Sequence, residues 1–315
     1  MAEGNSINTV APDLRRFVDL LPDLSSLHLR LNEVRDLLAG EPAPLGDDGE
    51  VTTEAVFIPR PDGTQLRALL LRPSRPVAEP LPALLHVHGG GYVAGTADRD
   101  HEIARKEALE LHCAVLVPDY RLAPEHPFPA PLDDVLAAWR WLHRQGIDSA
   151  RAAIRGVSAG GGLAWAATLK LREDGEIAPC LAVLLFPMLD DRTEKHEHNG
   201  VYVWTHENNI FGWDCYLAEV DRANPPPLAV PGRVDDVAGA PPVYLATGSI
   251  DLFAGENLDL ARKLIDAGVA LELHSWPGAY HGFSLVPCEA GRAYEQSART
   301  ALARAFALTE DGVLL

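Results

Sequence analysis

The segment Gly156-Val157-Ser158-Ala159-Gly160 narrows the folds open to this chain more than any other. It follows a short apolar run at residues 152–155 and precedes a helical pattern at 163–171, the setting a Gly-x-Ser-x-Gly elbow requires. In so tight a turn, side chains flanking the serine would collide, hence glycine at 156 and 160, and Ser158 would be held out of the sheet on strained backbone angles. A serine hydroxyl is a poor nucleophile until a base takes its proton, so the motif demands partners. Gly160-Gly161-Gly162 also admits a phosphate-cradling turn, although the chain lacks the Gly-Lys-Ser/Thr ending and the acidic residue of a dinucleotide site.

The partners are present in the order the chemistry needs. His88-Gly89-Gly90-Gly91-Tyr92 follows an apolar run at 83–87, and its glycines let successive N–H groups converge on a developing oxyanion. The amides of Gly89 and Gly90, with that of Ala159 at a helix N-terminus, are the expected donors. His281, in Gly278-Ala279-Tyr280-His281-Gly282-Phe283, follows a late strand and is the expected base, while His126 and His274 read as satisfied structural histidines. Asp251 follows the run at 243–247 and is the expected acid. Its rivals Asp259 and Glu256 fall in the following helix, where they would face solvent or support the loop.

Apolar runs at 55–58, 66–71, 83–87, 114–118, 152–155, 181–186, 243–247 and 271–275 are too short for helices. The first two flank Pro61-Asp62-Gly63 and read as a hairpin. Helical patterns at 132–144, 163–171, 256–267 and 293–308 alternate with the rest, predicting an α/β chain whose mostly parallel sheet is covered on both faces. Before them, Leu14, Val18, Leu21, Leu24, Leu27, Leu31, Val34, Leu37 and Leu38 predict two amphipathic helices interrupted at Pro22. The Gly/Pro/Asp-rich stretch at 40–49 separates them from the core. This predicts an N-terminal helical cap over 1–45 and a catalytic domain over 46–315, with a lid insertion at 190–239.

Several function classes are disfavoured by composition. A formal charge of -18 repels nucleic acid and anionic lipid surfaces, which favours a small neutral ligand. No run of about 18 apolar residues is available to span a bilayer. Met1-Ala2-Glu3-Gly4-Asn5 lacks the basic start and apolar run of a signal peptide, so a cytoplasmic protein is expected. Cys113, Cys180, Cys215 and Cys288 form no Cys-x-x-Cys pair and are expected as buried free thiols. The pairs His86/His88 and His196/His198 suggest a metal, but neither has a carboxylate or cysteine at supporting spacing, and no metal is expected.

His88 to Tyr92, Asp119-Tyr120-Arg121-Leu122-Ala123-Pro124-Glu125-His126-Pro127-Phe128-Pro129-Ala130, Gly156 to Gly161 and His281-Gly282-Phe283 together resemble the successive motifs of the hormone-sensitive-lipase-like, arylacetamide-deacetylase-related carboxylesterases. The resemblance covers roughly residues 51–305. It implies an α/β-hydrolase fold with an eight-stranded sheet and a small helical cap. It also implies hydrolysis of short- to medium-chain esters through an acyl-enzyme, without a cofactor, and dimers joined through the last strand and C-terminal helix, here 271–275 and 293–308. Acyl transfer or dehydration on the same fold and a non-catalytic receptor are the alternatives, and the retained His281 argues against the receptor. Val157 replaces the family's usual Asp or Thr, and Leu252-Phe253 its Pro-Leu after the acid. Tyr92, Leu24, Trp204, Phe211 and Trp213 are the expected pocket walls.

Overall fold

Nine strands form one sheet in the order β1-β2-β3-β5-β4-β6-β7-β8-β9 in the computed structural model, which describes residues 6–76 and 79–307. The N-terminal Met1-Ala2-Glu3-Gly4-Asn5 stretch and Leu308, the expected end of the last helix, lie outside the described residues. The strands are β1 Gly46–Asp47, β2 Val51–Pro59, β3 Gln65–Pro73, β4 Ala83–Val87, β5 Ala114–Pro118, β6 Ala152–Val157, β7 Ala182–Leu185, β8 Val243–Gly248 and β9 Leu271–Trp276. β1, β2, β3 and β5 pair antiparallel in succession, and β5-β4-β6-β7-β8-β9 pair parallel. The eight expected strands are all found. The ninth is the two-residue β1, too short and too glycine-rich to leave a pattern.

Every residue of β4, β5 and β7 is buried, as the core of a sheet covered on both faces must be. The covering helices are α3 His101–Glu110, α4 Ala130–Leu142, α5 Ala159–Glu173, α7 Ala254–Asp266 and α8 Glu289–Ala305, preceded in the chain by α1 Ser6–Thr9 and α2 Leu31–Ala39. α6, His206–Tyr216, lies between β7 and β8, within the stretch expected as a lid.

One helical expectation changes, and α3 and α6 appear where no helix was expected. The first N-terminal piece is a 3-10 helix, Arg15–Leu20, with no buried residue of its own, so no packed apolar face supports a longer helix before Pro22. α3 and α6 left no apolar stripe because the residues they bury include His101 and Glu107 in one and Asn208 and Asn209 in the other. The N-terminal segment nevertheless belongs to the core, where Leu24, Leu27, Val34 and Leu38 are buried in the main apolar cluster. Arg35 pins α2 down by donating to the carbonyls of Val93 (2.7 Å) and Ala123 (3.0 Å) and pairing with Glu125 at 2.6 Å.

Candidate active site

β4 and β6 are neighbours whose ends are level, with Val87 opposite Gly156, so the loops after them meet at the sheet's carboxyl edge. Ser158 sits between β6 and α5 with φ 56° and ψ -123°, a left-handed conformation that a non-glycine residue adopts only when its surroundings enforce it. Here its N–H donates to Leu185 O (3.0 Å), while its carbonyl accepts from Gly162 (3.1 Å) and Met188 (3.0 Å). A Cβ on Gly156 would lie 2.2 Å from Gly160 O, and one on Gly160 would lie 2.2 Å from the carbonyls of both Val87 and His88. The rest of the glycine run packs closely as well: a Cβ on Gly162 would meet Met188 O at 2.2 Å and the Tyr92 hydroxyl at 2.4 Å.

His281 comes from the loop after β9 and Asp251 from the loop after β8. His281 Nε2 is 3.0 Å from Ser158 Oγ, and His281 Nδ1 is 2.8 Å from Asp251 Oδ2. The other Asp251 oxygen accepts from Phe253 N–H at 2.9 Å. An imidazole that donates Nδ1–H to a carboxylate must present a lone pair at Nε2, which is the form able to accept the serine proton. All three groups are buried, at 5%, 6% and 0% exposure for Ser158, His281 and Asp251. The His281 ring packs beside Phe186 and edge-on to Phe253, with centroids at 4.5 and 5.2 Å. His274 is engaged elsewhere, with Glu272 at 3.0 Å and stacked on Trp276.

Among the described residues, the amides of Gly89, Gly90 and Ala159 donate to no protein acceptor, so three N–H groups stay open beside the serine. The turn that carries the glycines is closed by Val93 and Ala94 donating to Gly90 O at 3.1 and 3.0 Å. Beneath it, the Tyr120 hydroxyl donates to His88 O at 2.9 Å and the two rings stack at 4.2 Å, which explains why the aromatic motif at 119–130 accompanies the glycine loop. His88 Nδ1 lies 2.8 Å from Gly89 O. His86 is held between Asp100, 2.9 Å from Nε2, and Glu107, 3.2 Å from Nδ1. Burial pushes both imidazoles below the ordinary histidine range. Among the described residues no group of three or more His, Cys, Asp and Glu is arranged to hold a metal.

Of the expected pocket residues, Leu24 and Trp204 line the cavity that contains Ser158 and His281, together with Pro22, Leu38 and Phe186. Tyr92, Phe211 and Trp213 do not. Tyr92 is turned into the core by φ 66°, stacks on Tyr216 at 4.1 Å and donates to Met188 O at 2.9 Å. Trp213 packs behind it at 5.2 Å, and Phe211 faces His28 at 6.4 Å. Trp204 instead lies across the glycine loop, where a Cβ on Gly91 would meet its ring at 2.0 Å.

Glu256 supports the loop after β7 and is buried. It accepts from Leu189 N–H at 2.6 Å and from the Thr193 hydroxyl. Burial raises its carboxyl well above the ordinary glutamate value. Sequence reasoning missed Arg99 and Arg155, both on the cavity wall. Arg155, a charge within a run otherwise read as apolar, pairs with Glu107, and that charge was the available signal.

A family model for the α/β hydrolase fold matches residues 84–285. The chain belongs to the α/β-hydrolase family. This α/β-hydrolase is 30% identical over 283 residues to Esterase LipI of Mycobacterium tuberculosis, an alignment that covers 87% of the chain and 88% of LipI. Its structure superposes on bacterial heroin esterase with a TM-score of 0.85 at 34% identity, covering 95% of this chain and 99% of the other. An esterase of the bacterial hormone-sensitive lipase family aligns with a TM-score of 0.70 at 31% identity, over 84% of the hydrolase and 86% of the esterase. The last of these is described as a member of the family that the four sequence motifs resemble.

Proposed function

We propose that the hydrolase cleaves short- to medium-chain carboxylic esters with Ser158 as nucleophile, His281 as general base and Asp251 as the acid that orients it. It is a carboxylesterase. The observation that carries the residue roles is the unbroken hydrogen-bonded line from Asp251 through His281 to Ser158. His281 Nε2 takes the hydroxyl proton as Ser158 Oγ attacks the ester carbonyl, and Asp251 stabilises the imidazolium that forms. The open amides of Gly89, Gly90 and Ala159 receive the oxyanion. His281 then returns the proton to the departing alcohol, and water repeats the sequence to release the acid and free Ser158.

The roof contributed by Pro22, Leu24, Leu38 and Trp204 supports an acyl preference of about four to six carbons. Each buried methylene adds about 0.8 kcal/mol until the chain meets the wall. Rates on p-nitrophenyl esters from acetate to palmitate test this, with a maximum at twelve carbons or beyond as the overturning result. Ser158→Ala should lower turnover by about 10⁶-fold; more than about a hundredth of the wild-type rate would sink the assignment. We also propose a cytoplasmic enzyme, because its four cysteines are unpaired and no described helix is long and apolar enough to cross a membrane. The edge strand β9, with Leu273 exposed, is proposed as a dimer contact together with α8. Sedimentation of wild-type and Leu273→Lys protein checks that contact, and identical sedimentation of the two would overturn it.

A further inference from the structure

The wall of the catalytic cavity carries two guanidinium groups, from Arg99 and Arg155, and one carboxylate, from Asp100. Arg155 is paired with Glu107, and Asp100 is hydrogen-bonded to His86. Arg99 is different, because among the described residues its guanidinium has neither an ion pair nor a hydrogen bond. Arg99 is partly buried, and a cation drawn even partly out of water without a hydrogen-bonding partner is costly, so such charges are normally paired and an exception calls for an explanation. The chain as a whole carries a charge of -18, so partners of the right sign were abundant.

We infer that Arg99 is the anchor for an ionised acid group on the substrate, so that the preferred ester bears a carboxylate apart from its scissile bond, as the half-ester of a dicarboxylic acid does. This rests on the esterase reading and specifies its substrate class. The guanidinium is a rigid planar fork that matches a carboxylate with two parallel hydrogen bonds. A single unpaired positive charge balances a carboxylate, whereas it would leave a phosphate dianion only half neutralised. The backbone beneath is immobilised. Arg99 N–H donates to Thr96 Oγ1 at 3.2 Å, and the N-terminal segment lies so close that a Cβ on Gly40 would fall 2.7 Å from Arg99 Cα. Burial holds the Arg99 group below its ordinary pKa while the charge of Asp100 supports it, and an arginine remains protonated throughout the working range. Ser284, with no side-chain hydrogen bond among the described residues, lines the same cavity and could supply a further donor.

Two matched pairs of esters test this, one for each side of the scissile bond. On the acyl side, mono-p-nitrophenyl adipate is compared with p-nitrophenyl hexanoate. On the alcohol side, the butyrate ester of 4-hydroxyphenylacetate is compared with p-tolyl butyrate. In at least one pair, the acid-to-neutral ratio of kcat/KM should fall about 10- to 100-fold on Arg99→Met, the loss of a charge-assisted hydrogen-bonded pair, and Arg99→Lys should recover part of it. Any general effect of the substitution cancels in the ratio. Unchanged ratios in both pairs would overturn the inference. Titration of the half-adipate into Ser158→Ala and Ser158→Ala/Arg99→Met protein reads the anchor without turnover. A tenfold or greater rise in Kd supports it, and equal Kd values refute it. If wild-type protein hydrolyses none of the four esters, the esterase reading fails by itself, and the titration still decides the anchor.

Discussion

Asp251 and Glu256 are five positions apart and lead opposite lives, which shows how far surroundings govern a carboxyl group. Asp251 has one oxygen on the Phe253 amide and the other on His281 Nδ1, and this fixes the imidazole's tautomer. Asp251→Asn keeps the shape but reverses that preference, so kcat should drop by about 10⁴-fold with KM little changed; a loss below tenfold would show that His281 is oriented by something else. Glu256 is pushed up by burial, so in the folded protein it keeps its proton at pH values where the unfolded chain has lost it. Its contribution to stability is then fully present below the unfolded value of about 4.5 and declines as pH rises through the folded value. Gln cannot ionise. The unfolding free energy of Glu256→Gln relative to wild type should therefore rise from pH 4.5 to pH 8, by up to about 1.4 kcal/mol for each pH unit between the two values, as chemical denaturation reads it. A constant difference across that range would contradict a protonated Glu256.

At the level of elements, glycines that look alike in the sequence differ in what surrounds them. A Cβ on Gly160 would lie 2.2 Å from two carbonyl oxygens, so Gly160→Ala must push α5 away from the end of β4. A loss of about 1–3 kcal/mol or more, together with loss of activity, is the expected outcome by chemical denaturation and assay. A Cβ on Gly255 in α7 would meet nothing outside its own helix within 4 Å, and Gly255→Ala should raise stability by about 0.5–1 kcal/mol. A destabilised Gly255→Ala protein would mean that α7 is more constrained at its start than its open surroundings indicate. The strands were legible because β5 and β7 are apolar throughout and β4 departs only at His86, and Ser158, Asp251 and His281 because each follows a short strand. α3 was hidden because it buries His101 and Glu107, a polar face that no search for apolar periodicity detects. The aromatic walls were misplaced for a related reason. A tally of rings does not say which way they point, and the inward turn of Tyr92 at φ 66° is a backbone property with no composition signal.

For the whole molecule, the decisive feature is that the three groups proposed to react follow β6, β8 and β9, with 123 positions separating Ser158 from His281. From β6 onward the sheet grows outward in chain order, β6-β7-β8-β9, and the base arrives with its outermost strand. A chain still emerging from the ribosome therefore carries an elbow serine with no proton acceptor, and is chemically silent towards the esters around it. Catalysis becomes a timer on the last step of assembly: during refolding, hydrolysis should lag behind recovery of secondary structure, because long-range pairing is the slow part of such a fold. Stopped-flow ellipticity against ester turnover measures the interval, and simultaneous recovery would indicate that β9 docks as early as the centre. The same arrangement makes the acid test of a damaged or truncated hydrolase simple, since any copy that turns over ester has its far edge in place.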